Sequence, residues 1–298
     1  MKKLTRKLFI SILSMAFAVI AIGTTTFAWI TVSNTAKIEQ FSGQVEAGES
    51  GIELSWTSAE TGQWYTSLDL TDSTDFTNFS KFSDLTSSDG KTIKEYVFGD
   101  TASTGDAAGK YIEVTFYMRR SDYKNVASGA SDSDLLSVYV DSKAVSFETY
   151  VDSQKIISSS YTCEYDDIVD ENPVTNLLVS NAARLSLSTT NYTAIYEQSS
   201  STEDNTVNTT NEAYKTGFAY KYWVKKMGAN SLPTYEASIN TQQAGQTSNT
   251  LIAKLGNAPV AVTVRVWVEG WDNECHAQIL NQTLKVALGF TTSASSAN

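Results

Sequence analysis

The stretch "VAVTVRVWVEG", Val260 to Gly270, decides the fold. Val260, Val262, Val264, Val266 and Val268 form one unbroken apolar series, and Thr263, Arg265, Trp267 and Glu269 fall between them. Successive side chains of a pleated backbone point to opposite faces, so this spacing predicts a strand with one face in a core and a reverse face that is only partly exposed. A helix would distribute the valines over every face.

The same period recurs along the chain. "GIELSW" aligns Ile52, Leu54 and Trp56, and "YIEVTFYM" sets Ile112, Val114, Phe116 and Met118 against Tyr111, Glu113, Thr115 and Tyr117. "LLSVYV" aligns Leu136, Val138 and Val140, "AVSFETYV" aligns Val145, Phe147 and Val151, and "AARLSLS" aligns Ala183, Leu185 and Leu187. "FAYKYWVK" gives Phe218, Tyr220, Tyr222 and Val224; the last run, "LKVALGF", gives Leu284, Val286, Leu288 and Phe290. No long stretch between them has helical spacing with caps, apart from a turn or two around "NECHAQIL". Strands without crossover helices pair mainly antiparallel and close a core by stacking two sheets, which predicts an all-β antiparallel sandwich of jelly-roll type.

The amino terminus reads differently. Lys2, Lys3, Arg6 and Lys7 precede "LFISILSMAFAVIAI", Leu8 to Ile22, which has neither charge nor alternation. A basic start, an apolar core and small residues after it have the anatomy of a secretory signal peptide, with cleavage after Gly23 or Ala28. The alternative is a retained anchor helix, since Leu8 to Ile30 is long enough to cross a bilayer of about 30 Å. Both readings export the rest to the cell surface or beyond. Residues 1–28 are thus a signal or anchor helix, 29–45 an N-terminal strand, and 46–298 one sandwich domain with long polar insertions. From Ile30 to Ile38 the alternation resumes: Ile30, Val32, Ala36 and Ile38 lie on the face opposite Thr31, Ser33, Thr35 and Lys37. Such a strand can pair within its own domain, or fill a neighbour's groove as a donor. Phe41 breaks the parity near Gly43, which predicts a bulge or hinge.

Without the first 28 residues the chain has 33 acidic and 18 basic side chains, a net charge of −15. Affinity for phosphate backbones comes chiefly from Lys and Arg, so nucleic acid is excluded as a partner. The stretches Gln198 to Ala213 and Asn240 to Thr250 are polar, lack periodicity and read as solvated loops. Thr57 to Gly109 is too long for a bare loop and should contain small elements.

Two cysteines, Cys163 and Cys275, either form a disulfide outside the cell or pack as separate buried thiols. His276 is the single histidine, so a His-Glu-x-x-His zinc site is absent and a histidine-based nucleophile system has one candidate base, whose sequence neighbour Cys275 would point away from it in a strand. No enzyme and no cofactor are implied. Asp166, Asp167, Asp170 and Glu171, in "CEYDDIVDEN" with Glu164, are hard oxygen ligands that could hold calcium but lack the spacing of an EF-hand; a solvated acidic loop is the plainer reading. Glu269, Asp272 and Glu274 in "EGWDNEC" admit the same two readings. Tyr220, Tyr222 and Trp223, flanked by Lys221 and Lys225, would stack on sugar rings if exposed, and otherwise belong to the core.

"GTTTFAW" after the basic segment, a strand, and then "FSGQVEAGESGIELS" (Phe41 to Ser55) together resemble the amino-terminal layout of TasA and camelysin-like exported proteins of Gram-positive bacteria. "VTVRVWVEGWDNEC" followed by a closing strand is similar to the ending of other exported proteins of that layout. The resemblance covers the first ~55 residues and roughly the last 40, and includes no catalytic motif. It implies a jelly-roll subunit of an extracellular fibre or biofilm matrix, freed by signal peptidase and assembled into a homopolymer by strand insertion. The alternative function is a monomeric surface module that binds matrix or cell-wall glycans or host proteins.

Overall fold

The computed structural model describes residues 41–47, 51–75, 82–95, 107–159, 162–163, 174–175, 177–198, 242–270 and 282–294, together with Asp272, Cys275 and Ile279. Within them the chain is all-β, built on two mixed sheets that share one apolar core. The first sheet is organised around the last strand, β17 (Thr283–Thr291). One edge of β17 pairs with β1 (Phe41–Glu46), which pairs onward with β3 (Ser67–Asp69). Its other edge is shared by β8 (Ser146–Val151) and β7 (Leu136–Val140), which continue to β9 (Gln154–Ile156) and β15 (Thr250–Leu255) respectively.

The second sheet is organised around β16 (Val260–Glu269). On one side lie β12 (Ala183–Ser188), β13 (Thr193–Glu197) and β14 (Gln242–Gln243). On the other are β6 (Ile112–Arg120) with β2 (Ile52–Ser55), and β4 (Asp84–Thr86) with β5 (Lys94–Glu95). A separate small pair joins β10 (Thr162–Cys163) to β11 (Val174–Thr175).

The alternation of the sequence becomes the core. Ile112, Val114, Phe116 and Met118 of β6, Val262, Val264 and Val266 of β16, and Leu284 of β17 are all fully buried or nearly so. Phe116 meets Phe290 of the opposite sheet, their ring centroids 6.1 Å apart. Val260 and Val151, expected on the buried faces, are only half-buried, because each lies at the end of its strand. Thr149 takes the innermost place in β8 and turns its hydroxyl to Ser180.

Three pairings are parallel, β1–β17, β4–β16 and β13–β14, against the expectation of a mainly antiparallel sandwich at these places. A tight hairpin dictates antiparallel pairing, whereas strands distant in sequence are free of that constraint. The hinge expected at Gly43 is absent: β1 keeps an unbroken register against β17 from Phe41↔Leu284 to Glu46↔Gly289. No bulge interrupts β1 at Gly43 within these residues. Gln242 and Gln243, expected in a solvated loop, pair with β13, and Ala244 is buried. The polar stretch Thr57 to Gly109 holds β3, β4, β5 and a 3-10 turn at Leu70–Asp72, capped by the Asp69 carboxylate.

One helical turn, α1 (Val179–Ala182), precedes β12. Its first N–H groups have no partner within the turn, so buried side chains supply them. Val179 N–H donates to Gln282 Oε1 at 2.7 Å and Ser180 N–H to Thr149 Oγ1 at 3.0 Å, while Gln282 Nε2 donates to the Leu177 carbonyl.

The second sheet is covered on its far face as well. Leu85, Ile93, Ala107, Ile195 and Trp267 form a second, smaller core there, with Tyr111 at its margin. The turn beneath this cover is tightly specified. Asp89 Oδ1 accepts from the backbone N–H groups of Lys91 and Thr92, and Ser186 Oγ donates to the Gly90 carbonyl at 2.6 Å. Burial alone would raise the Asp89 pKa, but these bonds and those from the Thr92 and Ser87 hydroxyls hold it below the usual value. Gly90 has φ +67, and a Cβ there would lie 2.8 Å from Ile195 Cγ1 and 2.9 Å from Ser186 Cβ. Gly129 has φ +78 with nothing within 4 Å of such a Cβ. Both Gly→Ala variants carry left-handed strain of about 1–2 kcal/mol, and only Gly90→Ala adds an overpacking cost of about 1–3 kcal/mol. Urea melts should therefore show Gly90→Ala clearly less stable than Gly129→Ala; equal midpoints would contradict the close packing of this turn.

Candidate functional site

The amino-terminal entry to the fold is the first candidate. Phe41, Leu284, Thr149 and Ile156 lie in one register row across β1, β17, β8 and β9. The chain therefore enters the sheet at the end where β9 lies, and β1 is parallel to β17 there. The donor-strand candidates Ile30, Val32, Ala36 and Ile38 lie outside the described residues.

Several sheet edges are closed by the chain's own backbone. Leu54 and Tyr65 exchange two hydrogen bonds of 2.8 Å, and Ala47 N–H donates to the Thr66 carbonyl, so the strand that ends in β3 bridges β1 to β2. On the opposite side Gly245 N–H donates to the Ser142 carbonyl and Ala244 N–H to that of Glu197, linking the two sheets through the residues after β14. Thr189 Oγ1 donates to the Ile252 carbonyl of β15. Exposed edges invite pairing with other chains, and these contacts occupy part of their free length.

The carboxylates of "EGWDNEC" form a second candidate, and a closed one. Arg184, in β12, is buried in the second sheet's far layer. Its Nη2 lies 2.7 Å from Asp272 Oδ2 and 3.0 Å from Glu197 Oε2, and Nη1 donates to the carbonyls of Asn181 and Ala183. Trp267 Nε1 donates to Glu269 Oε2 at 3.2 Å beside it. Burial alone would lower the guanidinium pKa, but the carboxylates of Glu197, Asp272 and Glu269 outweigh it, and Arg184 is held more firmly protonated than a free arginine. Asp272 and Glu269 are thus salt-bridge and hydrogen-bond acceptors for this chain. No local periodicity announces Arg184: it alternates with Ala183 and Leu185 like a surface residue, and its Asp272 partner is 88 positions away.

A third cluster lies on the surface. The Arg119 guanidinium sits 3.9 Å from the Trp64 ring centroid and 4.4 Å from that of Tyr123, and its Nε donates to Glu53 Oε2 at 2.7 Å. Tyr123 OH donates to Glu60 Oε1 at 2.8 Å, with Lys124 Nζ 3.4 Å from the same oxygen. The tyrosine hydroxyl, then the lysine, hold the Glu60 carboxyl below its usual pKa. The cluster staples the loop after β2 to the turn after β6.

The Cys163 backbone belongs to β10, but its side chain lies outside the described residues; Cys275 is half-buried against the main core. Asp166, Asp167, Asp170, Glu171, Glu274, His276 and the aromatic run Tyr220, Tyr222 and Trp223 also lie outside them, as do residues 1–28. Among the described residues no three His, Cys, Asp or Glu side chains are grouped to hold a metal ion, and no helix is long and apolar enough to cross a membrane. No protein-family model, no curated protein and no solved structure matches the chain.

Proposed function

We propose that this chain is an exported structural protein without enzymatic activity, a subunit of an extracellular fibre, surface layer or biofilm matrix. In this reading residues 1–28 are the signal or anchor helix, the body is a jelly-roll sandwich, and the strand Ile30–Ile38 inserts into a neighbouring subunit. The observation that supports it is the position of β1. Phe41 is already in the ladder, so at most Glu39 and Gln40 lie between the alternating stretch and the body. A strand so tethered can be presented outward with little loose chain to order on binding, which lowers the entropy cost of capture. The net charge of −15 on the exported part suits an extracellular matrix component and disfavours nucleic-acid partners.

The alternative is a monomeric surface module for glycans or host proteins, with the Trp64–Arg119–Tyr123 cluster as its platform. The ring faces turned toward Arg119 are already occupied by its guanidinium, which favours the staple over the platform.

Electron microscopy of the purified mature chain tests the reading: filaments are expected. Replacing Ile30 and Val32 with Asp should abolish them and leave the monomer's melting temperature unchanged. Each buried aliphatic side chain contributes about 1.5–3 kcal/mol, and an ionised carboxylate in an apolar pocket adds a desolvation penalty. A lower melting temperature with assembly intact would instead place the strand in its own domain.

A further inference from the structure

We propose that the free edge of β9, with Ile157 just beyond it, is the acceptor for the Ile30–Ile38 strand of a second copy of this chain. This rests on the assembly reading above and adds the surface at which it occurs.

Among the described residues β9 has a ladder partner on one side only, β8. The turn joining them is Asp152–Ser153, both at positive φ (49° and 65°), the geometry of a two-residue hairpin. The pair closing such a hairpin, Val151 and Gln154, exchanges hydrogen bonds, so the alternation of the antiparallel ladder turns the N–H groups of Lys155 and Ile157 away from β8. Ile157 is 83% exposed, the most exposed large apolar side chain among the described residues. Lys155, the residue whose charge would ordinarily blunt such an edge, is held by Glu148 across the hairpin. The free edges of β5 and β14 are less suited. β5 is two residues long with Glu95 bonded to Lys110, and β14 runs directly into the contacts of Ala244 and Gly245 with the rest of the fold.

Reach decides between the chain's own strand and another copy's. From β1 to β9 is three strand spacings, through β17 and β8, or roughly 14 Å. From Ile38 to Phe41 is three residue steps, at most about 10 Å when fully extended. A strand intact through Ile38 therefore falls short of its own β9 edge, whereas one from a second copy has no such tether. Backbone pairing would supply the affinity, and Ile157 would gain apolar contact with the arriving Ile30, Val32, Ala36 and Ile38 series.

The test uses the mature chain from Trp29 onward, with assembly followed by sedimentation and negative-stain microscopy. Ile157→Pro removes an outward N–H without touching the β8 ladder, and Ile157→Asp leaves the backbone intact but replaces the exposed apolar group. Both should reduce sedimenting polymer roughly tenfold or more with the monomer's melting temperature unchanged, as expected for lesions confined to an edge. A labelled synthetic peptide of residues 29–40 should bind the assembly-blocked Ile30→Asp/Val32→Asp chain, whose β9 is intact, and fail to bind once Ile157→Pro is added. Wild-type assembly by both Ile157 variants, or peptide binding that survives Ile157→Pro, would overturn β9 as the acceptor and leave the fibre reading standing. A wild-type chain that stays monomeric at every concentration and also fails to capture the peptide would overturn both.

Discussion

Arg184→Ala is expected to cost about 3–5 kcal/mol, the range found when one partner of a buried ion pair is removed and the other remains in place. For a body of this size each kcal/mol lowers the melting temperature by about 2–4 °C, so a loss of roughly 6–20 °C should be visible by calorimetry. The prediction follows from burial. Side chains of Arg184 and Asp272 are 1% and 0% exposed, so water cannot replace the guanidinium that Asp272 would lose. Removing Arg184 also takes a cation from beside Glu197 and Glu269 and donors from the carbonyls of Asn181 and Ala183. Exposed pairs offer a control: Lys124 and Glu60 are 71% and 62% exposed, and Lys124→Ala should leave the melting temperature nearly unchanged. A loss for Arg184→Ala no larger than for Lys124→Ala would mean that water reaches the site.

How much of this was legible in the sequence depends on whether a feature is periodic. β2, β6, β7, β8, β12, β16 and β17 follow from alternation, because a strand with one buried face writes its burial into every second residue. Val264 or Phe116 can be placed in the core without knowing what lies opposite. The far face of β16 could not be placed so. Thr263, Arg265, Trp267 and Glu269 look like a half-exposed face, and whether they are covered depends on distant loop segments, such as that around Leu85, that carry no periodic signal of their own. Trp267 and Glu269 are in fact fully buried, under the segments around Leu85, Ile93 and Ala107. Strand pairing was illegible for the same reason. Nothing local requires β1 to run parallel to β17, more than 200 residues later in the chain. The Arg184 network combines both difficulties: its members are polar, so they resemble surface, and they meet only through the sheet. Glu269 and Asp272, expected in a solvated acidic turn, are instead buried beside Arg184, whose place in β12 no periodic signal marks.

Trp267→Ala is the other substitution expected to have a large effect, about 3–5 kcal/mol as for a buried aromatic truncated to Ala. Its indole is fully buried and joins the two features absent from the periodic signal. The ring fills the second core with Leu85, Ile93, Ala107 and Ile195, and Nε1 donates to Glu269 beside Arg184. The two roles can be separated. Trp267→Phe retains most of the apolar volume but cannot donate to Glu269, and losing one hydrogen bond to a charged group costs about 1.5–3 kcal/mol. Urea midpoints should therefore fall in the order wild type, Trp267→Phe, Trp267→Ala. Because Trp267 and Arg184 act on the same carboxylate, Trp267→Phe and Arg184→Ala should be non-additive in a double-mutant cycle, with a coupling of about 0.5–3 kcal/mol. A second cycle pairing Trp267→Phe with Gly129→Ala, which touches nothing in that layer, should show none. Equal coupling in the two cycles would mean that the polar network and the second core do not act as one unit.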